Sequence, residues 1–447
     1  MKKIFNYIIT FILMIIVAWG ALYIVSYIPK VLIKNNAKIS ADQLKSEKEQ
    51  YYIKSYDKKI LFHNSTDAIM LNITYGMDDN DKIDSIMKGR RNYIPGVKQK
   101  VIEDANGNLL TVTGMKFNMV GEFARLVNND EKQEVFEYVR YWHGYIVILR
   151  ILLVFLDIVE IRLLLQILLY MMLAFVVYTL IRNKKEIEAC LILLGYFLLD
   201  VATWINNIQG MFVMLVSLGT TIGIVLKKIN KDNLPYVLFV TGGIVAYLDF
   251  LTVPLVSLML PVIVHNLVRD NEDSLKDIFV LFIKSVVAWG VGYVGLWAAK
   301  WVIADLLYGT NIVRLSVEQI LVRMGVVRVG IEIKTKSLSD YVIGALMNNL
   351  FCLHSIITYI IFVPGVIFTV VYGIKNGFKV FCTKNTLVYW LAILAVYTWY
   401  VVCANHSWQH YFFTYRLQLV SIIAFLLISY GSIIRDINIK SSKEDKG

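Results

Sequence analysis

The sequence predicts an all-α protein, a polytopic transmembrane helical bundle of about ten spans with a large mixed first extracytoplasmic loop. Three observations support this fold class. Hydrophobic residues make up 57% of the 447 residues, and the mean hydropathy of +0.59 is high for a soluble domain. Apolar runs long enough to cross a bilayer recur along the chain. Most basic residues fall in short loops between these runs, as the positive-inside rule predicts for cytoplasmic loops.

The composition also excludes several classes of protein. The net charge of +11 arises mainly from those loops, and no Lys- and Arg-rich helix or aromatic-basic platform indicates a nucleic-acid partner. The four cysteines lie in or beside apolar runs and lack CxxC spacing. The sequence therefore predicts neither a disulfide framework nor a zinc site.

The hydropathy pattern divides the chain into six segments. They are a first span (1–28), an extracytoplasmic loop with juxtamembrane helices (29–162), a transmembrane bundle (163–303), an extracytoplasmic basic loop (304–340), a carboxy-terminal transmembrane bundle (341–434) and a cytoplasmic tail (435–447). Lys2 and Lys3 precede the first span and should keep the amino terminus in the cytoplasm. An even number of spans then places both termini on the cytoplasmic side of the cell membrane.

The first loop should contain several short elements. Residues 39–56 are rich in Lys, Glu and Gln and predict a surface helix, and residues 64–72 resemble the capped start of a second helix. Residues 107–114 resemble a turn with a short strand, and residues 117–141 have helical spacing. The spans that follow are predicted at 163–181, 188–205, 210–226, 234–251, 253–268, 278–303, 354–374, 386–404 and 413–433, each to within about three residues.

Three carboxylates in the first loop are candidates for catalysis. Asp67 lies at a predicted helix start, and Asp79-Asn80-Asp81 has the form of a DxD motif. A carboxylate can remove the proton from an acceptor hydroxyl group. Asp67 and the Asp79/Asp81 pair compete for this role, and solvated surface charge or a helix cap is the alternative interpretation. The acidic stretch lacks the glycine and the distal glutamate of a calcium loop.

Imidazole and guanidinium groups are expected to converge on the outer face. The substrate-binding candidates are His143, Arg150, Arg323, Arg328, His406, His410 and Arg416. Arginine binds phosphate with a planar fork, and an ionisable group at membrane depth is costly unless it has a role. Arg416, about one turn into the last span, should therefore point inward. Headgroup contacts and an aromatic belt at the membrane surface are the alternative explanations.

Three segments and the overall plan carry a resemblance to known proteins. The segments 65–72, 140–145 and 405–416 resemble multi-pass proteins of Gram-positive surface-polysaccharide clusters. The plan of one span, a large acidic outer loop and a many-helix bundle is similar to the GT-C fold of membrane glycosyltransferases. The resemblance implies a bacterial enzyme that moves a sugar from a polyprenyl-phosphate carrier to a surface glycan or lipid-linked acceptor. It implies polyprenyl-phosphate-linked sugar, membrane lipid and polysaccharide assembly proteins as partners, and it leaves a divalent metal open as a cofactor.

Under this hypothesis Asp67 is the expected base, and the arginines neutralise the leaving phosphate. The histidines would bind phosphate or orient the sugar. Two other functions stay open. A transporter or flippase of lipid-linked saccharide would need charges deep in the bundle, and Lys284 is the best such residue. A non-catalytic scaffold would need no pocket that gathers the charges.

Overall fold

The computed structural model is mostly helical. It describes residues 2–47, 51–55, 58–61, 64–78, 80–93, 97–103, 109–115, 118–128, 134–199, 208–269, 273–326, 337–350 and 356–444. Asp79 and Arg328 lie outside these ranges. The fold class is therefore confirmed in its coarse form, a helical chain with apolar helices.

The first 200 residues contain eight of the described helices and all six described strands. The helices are α1 (Lys2–Val25), α2 (Lys30–Ser46), α3 (Asn64–Tyr75), α4 (Lys82–Lys88), α5 (Met119–Asn128), α6 (Tyr145–Leu152), α7 (Ile158–Arg182) and α8 (Glu186–Leu198). The strands are β1 (Tyr51–Ser55), β2 (Lys58–Leu61), β3 (Arg90–Tyr93), β4 (Val97–Glu103), β5 (Leu109–Met115) and β6 (Glu134–Glu137). They form three antiparallel pairs: β1–β2, β3–β6 and β4–β5.

The remainder of the chain is helical where it is described. It contains α9 (Ile208–Val225), α10 (Leu234–Leu248), α11 (Val256–Val268), α12 (Leu275–Tyr308), α13 (Ile312–Met324), α14 (Leu338–Leu350), α15 (Ile356–Asn376), α16 (Leu387–Val402), α17 (Ala404–Gln409), α18 (Tyr411–Thr414) and α19 (Gln418–Glu444). Short 3-10 turns at Phe378–Phe381 and Tyr415–Leu417 precede α16 and α19.

Two local predictions for the first loop need correction. The helix predicted over 39–56 is α2, which ends at Ser46 before the chain enters β1. The helical spacing of 117–141 holds only through α5, because residues 134–137 pair with β3 as the antiparallel strand β6. Cross-strand pairing thus overrides a helical pattern there. The predicted helix start is confirmed, since α3 begins at Asn64, and β5 falls at the predicted strand.

Four described helices are long and apolar enough to cross a membrane: Lys3–Val25, Ile158–Arg182, Leu275–Tyr308 and Tyr411–Ile437. Five shorter apolar helices accompany them, at Gly210–Val225, Leu234–Leu248, Val256–Val268, Phe362–Asn376 and Leu387–Val402. Burial differs strongly between the first and last long helices. Only 17% of the apolar window of α1 is buried, against 83% for the helical segment Tyr411–Ile437, which contains most of α19. The last helix therefore forms the centre of the bundle, whereas α1 lies at its surface.

Glycines bring α10 and α12 into close contact. A Cβ atom on Gly292 would collide with the carbonyl oxygen of Phe239, and one on Gly242 would collide with that of Trp289. Small residues of this kind let two helix backbones approach each other, as in membrane helix pairs. The contact fixes the position of the middle of α12, which forms one wall of the cavity described next.

Candidate functional site

A cavity of about 240 Å³ lies between α12, α13 and α16. The loop after α10 and residues 140–141 close its remaining sides. The lining residues are Arg140, Tyr141, Leu251, Trp289, Tyr293, Val294, Trp297, Trp301, Ser316, Gln319, Ile320, Arg323, Met324, Trp399, Val402 and Cys403. Enclosed pockets with an apolar wall and a few polar groups are the usual form of a small-molecule site.

An aromatic ladder forms the α12 wall of the cavity. Trp289, Tyr293, Trp297 and Trp301 recur at every fourth residue, so helical geometry places their side chains on one face. The Trp289 and Tyr293 rings are stacked, with centroids 4.8 Å apart and planes at 10°. Tyr141 adds an edge-to-face contact to Trp297, with centroids 5.3 Å apart. The ladder therefore provides an aromatic surface for a ligand in the cavity.

Hydrogen bonds from the indole nitrogens hold the ladder in place. The Nε1 atom of Trp289 donates to Ser257 Oγ at 3.0 Å. The Trp297 Nε1 donates to the Ala246 carbonyl at 3.1 Å, and Trp301 Nε1 donates to the carbonyl of Arg140 at 2.9 Å. A ring that is anchored at its nitrogen keeps its orientation when the cavity is empty. The aromatic wall is therefore organised before a ligand arrives.

The α13 wall is polar. Ser316, Gln319 and Arg323 are three and four residues apart, so they share one face of the helix, and all three line the cavity. The Arg323 Nη1 atom lies 3.0 Å from His406 Nδ1 and 2.9 Å from His410 Nε2. These contacts bring together three of the predicted binding residues.

The hydrogen bonds show that His406 is neutral. Its Nε2 atom lies 2.8 Å from the Leu251 carbonyl oxygen, which can only accept, so Nε2 carries the proton. Its Nδ1 atom then accepts from Arg323. Burial lowers the pKa of His406 well below its usual value, and His410 and Arg323 lower it further. Both ring nitrogens are thus engaged, and His406 orients Arg323.

The loop after α10 supplies the carbonyl that His406 needs. Leu251 has a φ of +67°, which is an uncommon conformation for a bulky residue. The Asp249 carboxylate stabilises the loop by accepting from the Thr252 amide at 2.9 Å and from the Thr252 hydroxyl group. Local strain maintained by surrounding contacts is common at functional sites.

Two guanidinium groups at this cavity have no acidic partner among the described residues. Among the described residues Arg323 bonds only to the two histidines, and no described carboxylate lies within ion-pair distance of it. The Arg140 side chain also lines the cavity, and it makes no ion pair with a described residue. The cavity therefore carries positive charge that these residues do not neutralise.

Asp67 does not line this cavity. Its Oδ2 atom accepts from Arg162 Nε at 2.9 Å and lies 2.8 Å from Arg162 Nη2, and its Oδ1 atom accepts from the Ile208 amide at 2.9 Å. Glu47 contacts the same guanidinium. Burial raises the pKa of the Asp67 carboxyl group, while Arg162 and the Ile208 amide oppose that shift. Asp67 thus holds α7 and the first residue of α9 to α3.

His143 and Arg150 also lie in buried contacts away from the cavity lining. His143 Nε2 donates to the Tyr138 carbonyl at 2.9 Å, and Nδ1 accepts from the Tyr145 hydroxyl group at 3.0 Å. Burial lowers the pKa of His143 to about 3. The Arg150 guanidinium donates to the carbonyls of Ile28 at 2.6 and 3.1 Å and of Thr74 at 2.8 Å. Arg150 thus connects α6 to the chain after α1 and to α3, whereas His143 fixes the local chain between Tyr138 and Tyr145.

The remaining predicted residues are dispersed. Asp81 is exposed and caps α4, where its side chain accepts from the Asp84 amide at 3.2 Å. Asp79 and Arg328 lie outside the described residues. Arg416 is 8% exposed, which confirms that it points inward, with its guanidinium 5.7 Å from the Tyr415 ring centroid. It does not line the cavity.

Sequence reasoning missed the aromatic ladder and, on the polar face of α13, the two residues Ser316 and Gln319 that accompany the predicted Arg323. Both had a detectable signal, because Trp289 to Trp301 repeat every fourth residue and Ser316, Gln319 and Arg323 have helical spacing. Among the described residues, no group of three or more His, Cys, Asp or Glu side chains is arranged to hold a metal ion. No family model, curated protein or solved structure matches this chain.

Proposed function

We propose that this chain is a multi-pass membrane glycosyltransferase that takes a sugar from a polyprenyl-phosphate donor at the cavity. The acceptor would be a cell-surface glycan or a lipid-linked molecule on the outer face. One observation carries the proposal. Arg140 and Arg323 lack an acidic partner among the described residues, and both line the cavity whose other wall is the aromatic ladder.

The charge of the cavity favours an anionic ligand. A half-buried guanidinium is usually compensated by a carboxylate or a phosphate. Arg323 is half-buried, and its described partners are imidazoles, of which His406 is neutral. A phosphate that accepts hydrogen bonds from Arg323 and Arg140 would supply the missing negative charge.

The rim of the cavity favours a ligand attached to lipid. Val294, Ile320 and Val402 line the cavity, and their side chains are 58%, 41% and 44% exposed. Exposed apolar residues beside an opening suit contact with acyl or isoprenoid chains better than contact with water. A polyprenyl chain could remain in the bilayer while its phosphate reaches Arg323.

Sidedness follows from the two ends of the helices around the cavity. Helices α10, α12 and α16 begin near a cluster of basic loops, where Lys231 pairs with Asp273 at 3.2 Å and Arg269 contacts Asn385 at 2.9 Å. The residues by which these helices line the cavity lie toward the carboxyl ends of the helices. Under the positive-inside rule the basic end is cytoplasmic, so the cavity opens toward the outer face. In this proposal the ten spans are the nine apolar helices together with α8.

The proposed chemistry uses the arginines to stabilise charge. During transfer, the bond between the anomeric carbon and the phosphate oxygen breaks, and an acceptor oxygen forms the new bond to that carbon. The electron pair of the broken bond remains on the phosphate, which gains negative charge, and the proton of the acceptor hydroxyl group passes to water or to the departing phosphate. Arg323 and Arg140 would stabilise that charge in a site partly shielded from water.

The test is complementation in the native host. Cells that lack the gene receive either the wild type or Arg323→Ala, and the sugar composition of their surface polysaccharide and of their lipid-linked pool is measured. We expect Arg323→Ala to leave a sugar absent from the polysaccharide while its polyprenyl-phosphate donor accumulates. Arg314→Ala is the matched control, because Arg314 lies on the same helix and is 79% exposed.

Other outcomes would identify the alternative functions. Unchanged polysaccharide in Arg323→Ala cells would contradict the enzyme and favour a scaffold. Accumulation of a complete lipid-linked saccharide in the inner leaflet would favour a flippase. The described structure gives little support to a flippase, because Lys284, its best candidate, is exposed in a groove between α1, α10 and α12 rather than deep in the bundle.

A further inference from the structure

The two walls of the cavity differ in chemistry in a way that the arginines do not explain. The α12 wall presents rings, whereas the α13 wall presents the hydroxyl group of Ser316, the amide of Gln319 and the guanidinium of Arg323. An isoprenoid chain would need only the rings, and a phosphate would need only the guanidinium. The polar groups between them require a third kind of ligand group.

Several polar groups that line the cavity have no hydrogen-bond partner among the described residues. Ser316 is 1% exposed and Tyr293 is 5% exposed, and the oxygen of each side chain lacks a partner. The indole nitrogen of Trp399 is also buried without a partner. Gln319 makes no side-chain hydrogen bond to a described residue. A buried polar group without a partner is costly, and few exist in a folded protein unless a ligand or water supplies the missing bond.

We propose that a sugar ring, rather than the isoprenoid chain, occupies the cavity, and that Ser316 and Gln319 recognise its hydroxyl groups. This inference rests on the proposed function and assigns its specificity. A pyranose has a C–H face that can stack on the aromatic ladder and a rim of hydroxyl groups that can bond to α13. Tyr293 is the hydrogen-bonding member of the ladder itself.

The spacing on α13 agrees with a sugar joined to a phosphate. Ser316 and Arg323 are seven residues apart, which is about 10 Å along a helix. Gln319 lies between them on the same face. The ring would thus lie beside Ser316 and Gln319 while the phosphate reaches Arg323. The exposed rim at Val294 and Val402 would accept the first isoprene units.

The experiment compares two lipids on one protein. Wild type and Ser316→Ala/Gln319→Leu are placed in lipid nanodiscs, and the binding of radiolabelled polyprenyl phosphate is measured with and without an attached sugar. Glucose, galactose and N-acetylglucosamine serve as the attached sugars. We expect the best of the three to bind roughly tenfold or more tightly than the sugar-free lipid, because it completes buried hydrogen bonds. The double variant should lose that gain and bind the sugar-free lipid as the wild type does.

Controls separate this inference from the proposed function. Glu318→Gln changes α13 on its exposed side, where Glu318 pairs with Arg314, and should bind like the wild type. Arg323→Ala should weaken binding of both lipids. If it binds the sugar-free lipid normally, the proposed function fails at its anion site. If Arg323 matters but the sugar adds no affinity, or the double variant keeps the gain, the sugar subsite is overturned while the lipid-phosphate site stands.

If the double variant does not fold, a second measurement on the wild type tests the same inference. Deoxy analogues of the preferred sugar are then bound to the wild type. Loss of single hydroxyl groups should weaken binding by roughly tenfold at the positions that face α13. Equal affinity for all analogues would overturn the inference without any mutation.

Discussion

Two clusters in this protein are built around an arginine, and they differ in how its charge is compensated. Arg162 is 4% exposed and contacts two carboxylates, Asp67 and Glu47. Arg323 is half-buried at a cavity and contacts two histidines. In the first cluster carboxylates of the chain compensate the guanidinium charge, whereas in the second no described carboxylate does so. An arginine with its own counter-ions holds elements together, and one whose described partners are imidazoles can bind an anion.

The largest expected effect tests the compensated cluster. Arg162→Met leaves the Asp67 carboxylate buried without its counter-ion, so the free energy of unfolding should fall by about 3–5 kcal/mol. Thermal unfolding in detergent measures the loss. Arg314→Met removes an exposed ion pair and should cost less than about 1 kcal/mol. If Asp67→Asn instead folds normally and abolishes sugar transfer, Asp67 is the base that the sequence suggested.

Substitutions in the Arg323 cluster, whose charge no described carboxylate compensates, should change the affinity for ligand. Arg323→Ala should weaken the binding of polyprenyl phosphate by roughly 10- to 100-fold, because charge-assisted hydrogen bonds to the phosphate are lost. Stability should change less than in Arg162→Met. Arg323→Lys should recover only part of the affinity, since an ammonium lacks the planar fork. Equal affinity of wild type and Arg323→Ala would remove the distinction between the two clusters.

His143 provides a test by pH. Its pKa is about 3 in the folded protein and about 6.5 in an unfolded chain, so the unfolded state binds more protons between these values. The contribution of His143 to stability is complete above pH 6.5 and is lost as the pH falls. The loss should reach about 2 kcal/mol at pH 5. His143→Asn should show a flatter dependence of melting temperature on pH, and parallel curves would contradict this prediction.

The smallest effect concerns Asp81. As the cap of α4, its replacement in Asp81→Ala should lower the free energy of unfolding by about 1 kcal/mol, whereas Asp81→Asn should be nearly neutral. Sugar transfer should be unchanged in Asp81→Asn. A loss of transfer with normal stability would instead indicate that the DxD motif takes part in the reaction.

The helical class and the residues Arg323, His406 and His410 could be predicted from the sequence. Apolar runs predict helices that face lipid or each other. Polar residues within such runs are rare, so each one can be identified as a candidate. The two histidines lie in one short stretch, so their proximity needed only local helical geometry. Their contact with Arg323, more than 80 residues away, was anticipated only as convergence on one face.

The partners of Asp67, His143 and Arg150 could not be predicted. The sequence shows that a polar residue is unusual at its position, but it does not show whether another buried group compensates its charge. Asp67 meets Arg162 and the Ile208 amide only because α3, α7 and α9 come together, which depends on tertiary packing. The ladder was missed for a different reason. Aromatic residues at helical spacing are common in apolar helices, and only the cavity distinguishes these.

The anchored indoles give the protein an intrinsic optical probe. Four of its nine tryptophans, Trp289, Trp297, Trp301 and Trp399, line the cavity. Indole fluorescence depends on the polarity around the ring and on nearby quenching groups. A ligand that displaces water from this cavity should therefore change the emission of the unmodified protein. Because hydrogen bonds hold three of the rings, such a change would report occupancy of the site rather than ring motion.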